Sequence, residues 1–293
     1  MLSTWHWEIT KECNLQCKHC LIASEGAISD PSDDFSVIER IVALGGERLL
    51  VTGGEPFIVP NFYRKMEEAR RNNLQLSVIT NGTLLDKFNC EVAAELFDVI
   101  GISIDGTKTT HDSIRGIGAY EKTISTISFL KKFKKTIVVY LTLMSVNFNE
   151  LRETVTNMIE LGVKTFHFNQ INLMGRSLGS KHLGLALDTE QLLNGFATQL
   201  NEIIDLSQLH CSSKKCDVDA NTVYLNCHGE MYSCVELSFL KPELSIAHIH
   251  DTLVTEKVGQ YFAKESPLPT CRYSTYSCPG VTLNLNTGKC PYT

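Results

Sequence analysis

The sequence is short of the features that mark membrane and nucleic-acid-binding proteins. It has no run of about 18 apolar residues, so no membrane span is expected. Its 27 Lys and Arg residues are scattered and outnumbered by 33 Asp and Glu residues, so no basic surface points to a nucleic-acid partner. The N-terminal stretch MLSTWHWEITKEC lacks the basic segment and apolar run of a secretory signal. We therefore expect a cytoplasmic protein.

Cysteine, in contrast, is plentiful, with 11 in 293 residues. Disulfides are disfavoured in the cytoplasm, so clustered cysteines indicate metal binding or catalysis. Cys13, Cys17 and Cys20 lie near the start, and seven more lie between residues 211 and 290. Cys90 stands alone in a predicted helix, where we expect it to pack in the core as a small hydrophobe.

The first part of the chain alternates short apolar runs with helical patterns. The predicted strands cover residues 4–10, 48–53, 74–80, 98–105, 136–143 and 164–169. About six strand–helix units predict an α/β fold with a parallel sheet and right-handed crossovers. Six units suit a partial (β/α)6 TIM-type barrel, since a closed barrel has about eight. A doubly wound sheet remains the alternative.

This rhythm stops at about residue 187, which sets the predicted boundary between residues 1–187 and 188–293. Residues 188–206 predict one helix, and NTVYLNCHGEMYSC (221–234) predicts a β-hairpin. The second part has few apolar runs and many cysteines. A metal centre would supply the stability that its core lacks.

The three N-terminal cysteines follow the first predicted strand. They therefore lie at the carboxyl edge of a parallel sheet, where ligands bind. Structural zinc takes four protein ligands, whereas here the pattern is Cys-x-x-x-Cys-x-x-Cys, and His19 is too close to Cys20 to share an ion easily. Three cysteines suit a [4Fe–4S] cluster with one iron left open for a small molecule.

The stretch CNLQCKHC (13–20) resembles the Cys-x-x-x-Cys-x-aromatic-Cys signature of radical S-adenosylmethionine (SAM) enzymes, with His19 in the aromatic position. The resemblance implies that Cys13, Cys17 and Cys20 bind the cluster and that SAM chelates the open iron. The reduced cluster then cleaves SAM, and the 5′-deoxyadenosyl radical abstracts a substrate hydrogen. Zinc binding and a non-catalytic iron–sulfur electron-relay module are the alternatives.

Further motifs of the resembled family follow at successive strand ends. They are TGGEP (52–56), ITNGT (79–83), ISIDG (102–106) and THDSIRG (110–116), with HFNQINLMGRS (167–177) after the sixth strand. Each alone is ordinary turn chemistry, but their order is that of the family. The resemblance implies that SAM is bound by Gly53, Gly54, Glu55, Asn81, Ser103, Asp105 and Arg115, with Glu55 receiving its amino group.

The C-terminal cysteines resemble a SPASM or twitch-like auxiliary domain. Cys216 and the Gly229-x-x-x-x-Cys234 unit match its opening half, but the second half departs from the pattern. Two clusters would need eight thiols and seven are present. The resemblance implies at least one auxiliary [4Fe–4S] cluster, with ligands among Cys211, Cys216, Cys234, Cys271, Cys278 and Cys290.

Two residues of this part are candidates for catalysis. Cys227 fits no ligand position and could donate a hydrogen atom, as in radical epimerases, although an ordinary thiol is the alternative. Glu236 follows Cys234 by two positions, where relatives carry an acidic base, although a solvated carboxylate is the alternative.

The resemblance leaves the substrate open. SPASM and twitch enzymes mostly modify ribosomally made peptides by crosslinking, epimerisation or oxidation, and this is the first expectation. The alternative is an epimerase or dehydrogenase of a small molecule such as an aminoglycoside. Expected partners are the substrate and a flavodoxin- or ferredoxin-type electron donor. Because few residues precede Cys13, three possibilities stay open: a separate peptide-recognition protein, a leaderless peptide substrate or a small-molecule substrate.

Overall fold

The computed structural model describes residues 2–22, 35–185, 189–200, 202–203, 209–211, 222–240, 242–263 and 280–284. The strands of the first part are β1 (Thr4–Glu8), β2 (Arg48–Thr52), β3 (Gln75–Thr80), β4 (Val99–Ser103), β5 (Thr136–Leu143) and β6 (Thr165–Gln170). Its helices are α1 (Ser36–Ala43), α2 (Phe62–Arg71), α3 (Lys87–Leu96), α4 (Lys108–Arg115), α5 (Ala119–Leu130) and α6 (Leu151–Glu160).

The second part contributes shorter elements. Its helices are α7 (Thr189–Leu200), α8 (Val235–Leu240) and α9 (Val254–Ala263). Its strands are β7 (Leu209–Cys211), β8 (Thr222–Leu225), β9 (Glu230–Tyr232), β10 (Ala247–His248) and β11 (Gly280–Asn284). The predicted hairpin is confirmed, since β8 and β9 pair antiparallel.

The first six strands are parallel neighbours in chain order. A doubly wound sheet reverses the order of its strands partway, whereas this order runs in one direction. The prediction of an α/β fold with a partial (β/α)6 barrel is therefore confirmed.

The second part extends the same sheet at both of its edges. Strand β8 pairs parallel with β1, and β11 pairs antiparallel with β6 and carries β7 on its other side. The boundary between residues 187 and 188 stays a prediction, because strands beyond it are hydrogen bonded to strands before it.

Apolar and polar side chains alternate along the strands, so that the sheet has an apolar face and a polar face. Trp5, Trp7, Leu49 and Val51 are at most 3% exposed and belong to one hydrophobic cluster with the helices. Burial of each such side chain contributes roughly 1.5–3 kcal/mol. Cys90 of α3 lies in the same cluster and is 0% exposed, which confirms its predicted packing role.

None of the helices among the described residues is both long and apolar enough to span a membrane.

Candidate active site

A cavity of about 430 Å³ opens where β1 to β6 end. The side chains of Cys13, Cys17 and Cys20 lie in its wall. The wall also contains polar residues at the ends of later strands, namely Thr52, Ser103, Thr142 and Asn169. The inward face of the parallel sheet therefore presents uncharged polar groups to the cavity, opposite the apolar face that packs on the helices.

Two segments from elsewhere in the chain hold the cysteine loop. The backbone N–H of Lys18 donates to the Ile114 carbonyl at the end of α4, at 3.0 Å. Arg176 donates from its backbone to the Cys20 carbonyl at 3.0 Å and from its side chain to the Cys17 carbonyl at 3.2 Å. The loop is thus fixed from two directions, which presets the positions of its thiols.

Gly175 is required for this contact. Its φ is +57°, and an added Cβ would lie 2.1 Å from the Leu21 carbonyl oxygen. Any other residue would push the segment away from the cysteine loop. From the sequence, residues 167–177 were placed only after the sixth strand, and the contact of Gly175 and Arg176 with the cysteine loop was not predicted.

Gly53 and Gly54 bring the loop after β2 against the segment that leads to Cys13. An added Cβ would lie 2.4 Å from the Thr10 carbonyl oxygen at Gly53 and 2.0 Å from that of Glu12 at Gly54. The Gly54 N–H donates to the Thr10 carbonyl at 2.6 Å, and the Glu55 N–H to that of Glu12 at 2.8 Å. Both glycines also lie in the cavity wall, so their backbone approaches the ligand space and the cysteine loop together.

Glu55 lies behind the wall and is 0% exposed. Its carboxylate accepts hydrogen bonds from the Thr80 hydroxyl (2.8 Å), the Asn81 backbone N–H (2.8 Å) and the Phe57 backbone N–H (3.2 Å). Burial raises the pKa of Glu55 to about 7, against the lowering effect of these donors. In this structure Glu55 joins the loops after β2 and β3; its contact with the SAM amino group stays a prediction.

Asn81 reaches the cysteine loop directly. Its side-chain amide donates to the Asn14 side chain at 2.9 Å and lies 3.9 Å from the Cys13 sulfur. It is also part of the cavity wall. The third strand end therefore contributes both to the wall and to the orientation of a predicted cluster ligand.

Asp105 is a buried anion that positions two wall residues. Its carboxylate accepts a hydrogen bond from Arg115 Nε at 2.5 Å and lies 3.5 Å from His19 Nε2. Burial opposes ionisation of Asp105, but the charge of Arg115 outweighs it, and the pKa falls to about 2. Arg115 and His19 lie in the wall, so Asp105 acts on the cavity through them, and direct contact with SAM stays a prediction.

The buried groups around the cysteines fit a bound cluster and its ligand. Burial raises the pKa of Cys17 to about 11 against the lowering effect of Arg115; coordination by iron would instead take the thiolate form. Burial lowers the pKa of His19 to about 4, so its ring is neutral, and its Nδ1 is buried without a hydrogen-bond partner in the described part of the chain.

No three His, Cys, Asp or Glu side chains among the described residues converge closely enough to hold one metal ion. Cysteine thiolates are the ligands by which proteins hold iron–sulfur clusters, and the three cysteines of this loop lie together in the cavity wall. The donor type of this loop fits such a cluster.

The second part of the chain also reaches the cavity. Tyr224 of β8 and Val235 of α8 lie in its wall. Cys227 is half-buried in the hairpin turn. Glu236 directly follows Val235 in α8, but its side chain lies outside the described residues.

The structure describes only some of the predicted auxiliary ligands. Cys234 is half-buried and packs against Tyr224 and Tyr232. Cys211 ends β7, of which only the backbone is described. The other predicted ligands, Cys216, Cys271, Cys278 and Cys290, lie outside the described residues.

An open (β/α)6 barrel with three cysteines on the loop after its first strand defines an iron–sulfur enzyme of the radical SAM class. Comparison with protein families agrees, since residues 7–166 match the Radical SAM superfamily. The chain belongs to this superfamily, and its cofactors are a [4Fe–4S] cluster and SAM.

Two curated relatives show how far the similarity extends along the chain. The chain is 31% identical over 199 residues, 65% of its length, to the AdoMet-dependent heme synthase of Methanosarcina barkeri, and spans 56% of that protein. It is 25% identical over 310 aligned positions to the antilisterial bacteriocin subtilosin biosynthesis protein AlbA of Bacillus subtilis, covering 97% of this chain and 68% of AlbA.

The fold is also similar to that of anSMEcpe with bound AdoMet and Cp18Cys peptide. The TM-score is 0.68 at 20% identity, over 87% of this chain and 79% of that one. This likeness concerns the fold.

Proposed function

We propose that the protein is a radical SAM enzyme that modifies a ribosomally synthesised peptide by crosslinking, epimerisation or oxidation. The observation that carries this proposal is the extent of the similarity to AlbA. That match covers 97% of the chain and so includes the cysteine-rich second part. The match to the heme synthase covers 65%.

The side chains that line the cavity favour a peptide substrate. Beside the predicted SAM residues, its wall contains Thr142, Asn169, Gln170 and Asn172, which together offer hydroxyl and amide groups. Such groups both donate and accept hydrogen bonds, as the N–H and C=O groups of a peptide backbone require. Tyr224 adds an aromatic face on the side of the second part.

The cluster would be held by Cys13, Cys17 and Cys20, and SAM would lie against the predicted binding residues at the strand ends, such as Gly54 and Ser103. When bound, the cluster supplies the electron that cleaves SAM to a 5′-deoxyadenosyl radical. The chain's own contribution is orientation: the buried Asp105 fixes Arg115, and Arg176 fixes the loop backbone.

The second part would carry the residues that decide the outcome of the reaction. We assign at least one auxiliary [4Fe–4S] cluster to it, with ligands among Cys211, Cys216, Cys234 and the last three cysteines. Cys227 would return a hydrogen atom to the substrate, and Glu236 would act as a base. The electron donor is of the flavodoxin or ferredoxin type, the site of action is the cytoplasm, and a separate protein presents the peptide.

A second candidate is a small-molecule epimerase or dehydrogenase. The 31% identity to a heme synthase favours a small-molecule substrate. Both candidates use the same cluster and SAM site, so only the substrate distinguishes them.

The test begins with anaerobic purification and counting of iron and sulfide. The enzyme is then given SAM, reductant and the peptide encoded beside its gene, in D2O. One deuterium at an α-carbon means epimerisation, and loss of two hydrogens means crosslinking or oxidation. The Cys17→Ala variant is the control, because it removes a cluster ligand.

Two results would count against these assignments. If no neighbouring peptide is altered while SAM is cleaved, the peptide proposal fails and the small-molecule candidate is favoured. If SAM stays intact under strong reductant, the enzyme proposal itself fails.

A further inference from the structure

Glu8 is a buried carboxylate beside the cavity that no motif marks. It is the last residue of β1 and is 1% exposed. Trp7 belongs to the apolar face that packs on the helices, so Glu8, the next residue along the strand, points to the inward face. There it lies opposite Thr52 of β2, which is part of the cavity wall.

Tyr224 connects Glu8 to the cavity on the β8 side of β1. Its hydroxyl donates to Glu8 Oε2 at 2.7 Å, and the residue forms part of the cavity wall. A phenol has one proton to donate, and here that proton is given to Glu8. Burial and the negative charge of Glu8 raise the pKa of Tyr224, so the hydroxyl keeps this proton. Toward a group in the cavity, the Tyr224 oxygen therefore acts only as a hydrogen-bond acceptor.

The negative charge of Glu8 forms no ion pair within the described part of the chain. Its second oxygen, Oε1, is also buried, and no hydrogen bond of ordinary geometry from the described residues reaches it. A buried carboxylate with a single neutral donor is destabilising, and a nearby cation would offset that cost. The Tyr224 ring adds to the attraction, because the face of an aromatic ring binds cations.

We propose that Glu8 and Tyr224 form a recognition site for a positively charged group of the substrate, an ammonium or a guanidinium that donates to the Tyr224 oxygen. Tyr224 contacts the substrate, and Glu8 is a positioning residue that orients the hydroxyl and supplies the negative charge behind it. This inference rests on the proposed function, because it names the chemistry of the substrate of the same cavity. A basic side chain of a peptide and the amine of a small molecule both carry such a group, whereas a carboxylate is disfavoured at this position.

The experiment measures the binding of two matched pairs of probes to the full-length, anaerobically reconstituted enzyme with SAM bound. N-acetyl-lysine methylamide and N-acetyl-norleucine methylamide represent a peptide, and glucosamine and N-acetylglucosamine represent a small molecule. Only the first member of each pair carries an ammonium group. Dissociation constants are obtained by ligand-observed NMR titration. The wild type should bind the charged member more tightly in at least one pair, and the pair with the larger preference identifies the source of the cation.

Glu8→Gln keeps the size of the side chain and an acceptor for the Tyr224 hydroxyl but removes the negative charge. The preference, which is the ratio of the two dissociation constants in a pair, should fall roughly threefold to tenfold, because hydrogen bonds to charged groups are stronger than neutral ones. Tyr224→Phe removes the accepting oxygen and should lower the preference at least as much. Loss of fold alone would weaken both members of a pair and leave their ratio unchanged.

The chain offers a matched control in the same hairpin. Glu230 accepts a hydrogen bond from the Tyr232 hydroxyl at 3.0 Å, as Glu8 does from Tyr224. Among the described residues, however, the cavity wall contains Tyr224 and not Tyr232. Glu230→Gln should therefore leave the preference for the charged probe unchanged.

Three results would overturn the inference. The first is equal binding of the charged and uncharged members of both pairs by the wild type, which needs no variant. The second is a wild-type preference in Glu8→Gln. The third is a loss of affinity for SAM in Glu8→Gln with an unchanged preference, since the cation beside Glu8 would then belong to SAM. SAM cleavage is measured in the same preparation: its absence refutes the proposed function, whereas normal cleavage without any preference refutes only the recognition site.

Discussion

Substitution of Gly54 by alanine is the most direct test of how the cysteine loop is positioned. The added Cβ would lie 2.0 Å from the Glu12 carbonyl oxygen and 2.5 Å from its carbon. Ordinary contact begins near 3.4 Å, so the two segments must separate by more than an ångström. That movement breaks the hydrogen bonds from Gly54 N–H to Thr10 and from Glu55 N–H to Glu12.

The expected loss of stability follows from these contacts. Two backbone hydrogen bonds contribute about 1 kcal/mol each, and overpacking costs about 1–3 kcal/mol, so the free energy of unfolding should fall by about 3–5 kcal/mol. The midpoint of thermal unfolding should fall by roughly 5–8 °C for a chain of this length. Because the displaced segment leads directly to Cys13, iron at the N-terminal site should fall as well.

The assay combines thermal unfolding with iron counting on anaerobically purified protein. Gly259→Ala is the control, because an added Cβ at this α9 position meets nothing within 4 Å, and alanine there should be neutral or slightly stabilising. If Gly54→Ala keeps both the unfolding midpoint and the iron content of the wild type, the loops are not coupled as described.

Three further outcomes are expected. Asp105→Asn leaves Arg115 buried without its anion and should lower stability by about 3–5 kcal/mol. Because the folded pKa of Asp105 is about 2 against an ordinary value of 3.8, the wild type holds this stabilisation above about pH 4 and loses it as the pH falls toward 2; acid unfolding curves of Asp105→Asn should lack that step. Cys17→Ala should remove the iron of one cluster, about four atoms per chain, by colorimetric counting. Cys90→Ser should lower thermal stability by roughly 1–3 kcal/mol while leaving the iron count unchanged, and a fall in iron would contradict its assignment to the core.

The sheet was predictable from sequence because its strands are short apolar runs at regular spacing. Parallel strands end at one edge, so the positions of Cys13, Gly54, Asn81 and Ser103 followed from chain order alone. Each of these residues lies in the cavity wall.

The roles of the buried acids were not predictable in this way. The binding of SAM by Glu55 and Asp105 stays a prediction, whereas their hydrogen bonds with Thr80, Asn81 and Arg115 are seen only in the structure. These partners lie on other elements, and only the folded chain brings them close. Glu8 was missed for the same reason, because in sequence it is one polar position of an alternating strand, and its partner Tyr224 lies 216 residues away.

Strands of the cysteine-rich part pair with both edge strands of the barrel. From β7, beside β11 on the β6 side, the chain passes to β8 on β1 and later returns to β11 on β6. It therefore passes twice between the β6 side and the β1 side of the barrel, through residues 212–221 and 264–279. Cys216 belongs to the first connection, and Cys271 and Cys278 belong to the second. Because β8 is hydrogen bonded to β1 and β11 is hydrogen bonded to β6, removal of the cysteine-rich part would leave the first and last strands of the barrel with unpaired backbone groups, which is the kind of exposed strand edge that promotes aggregation.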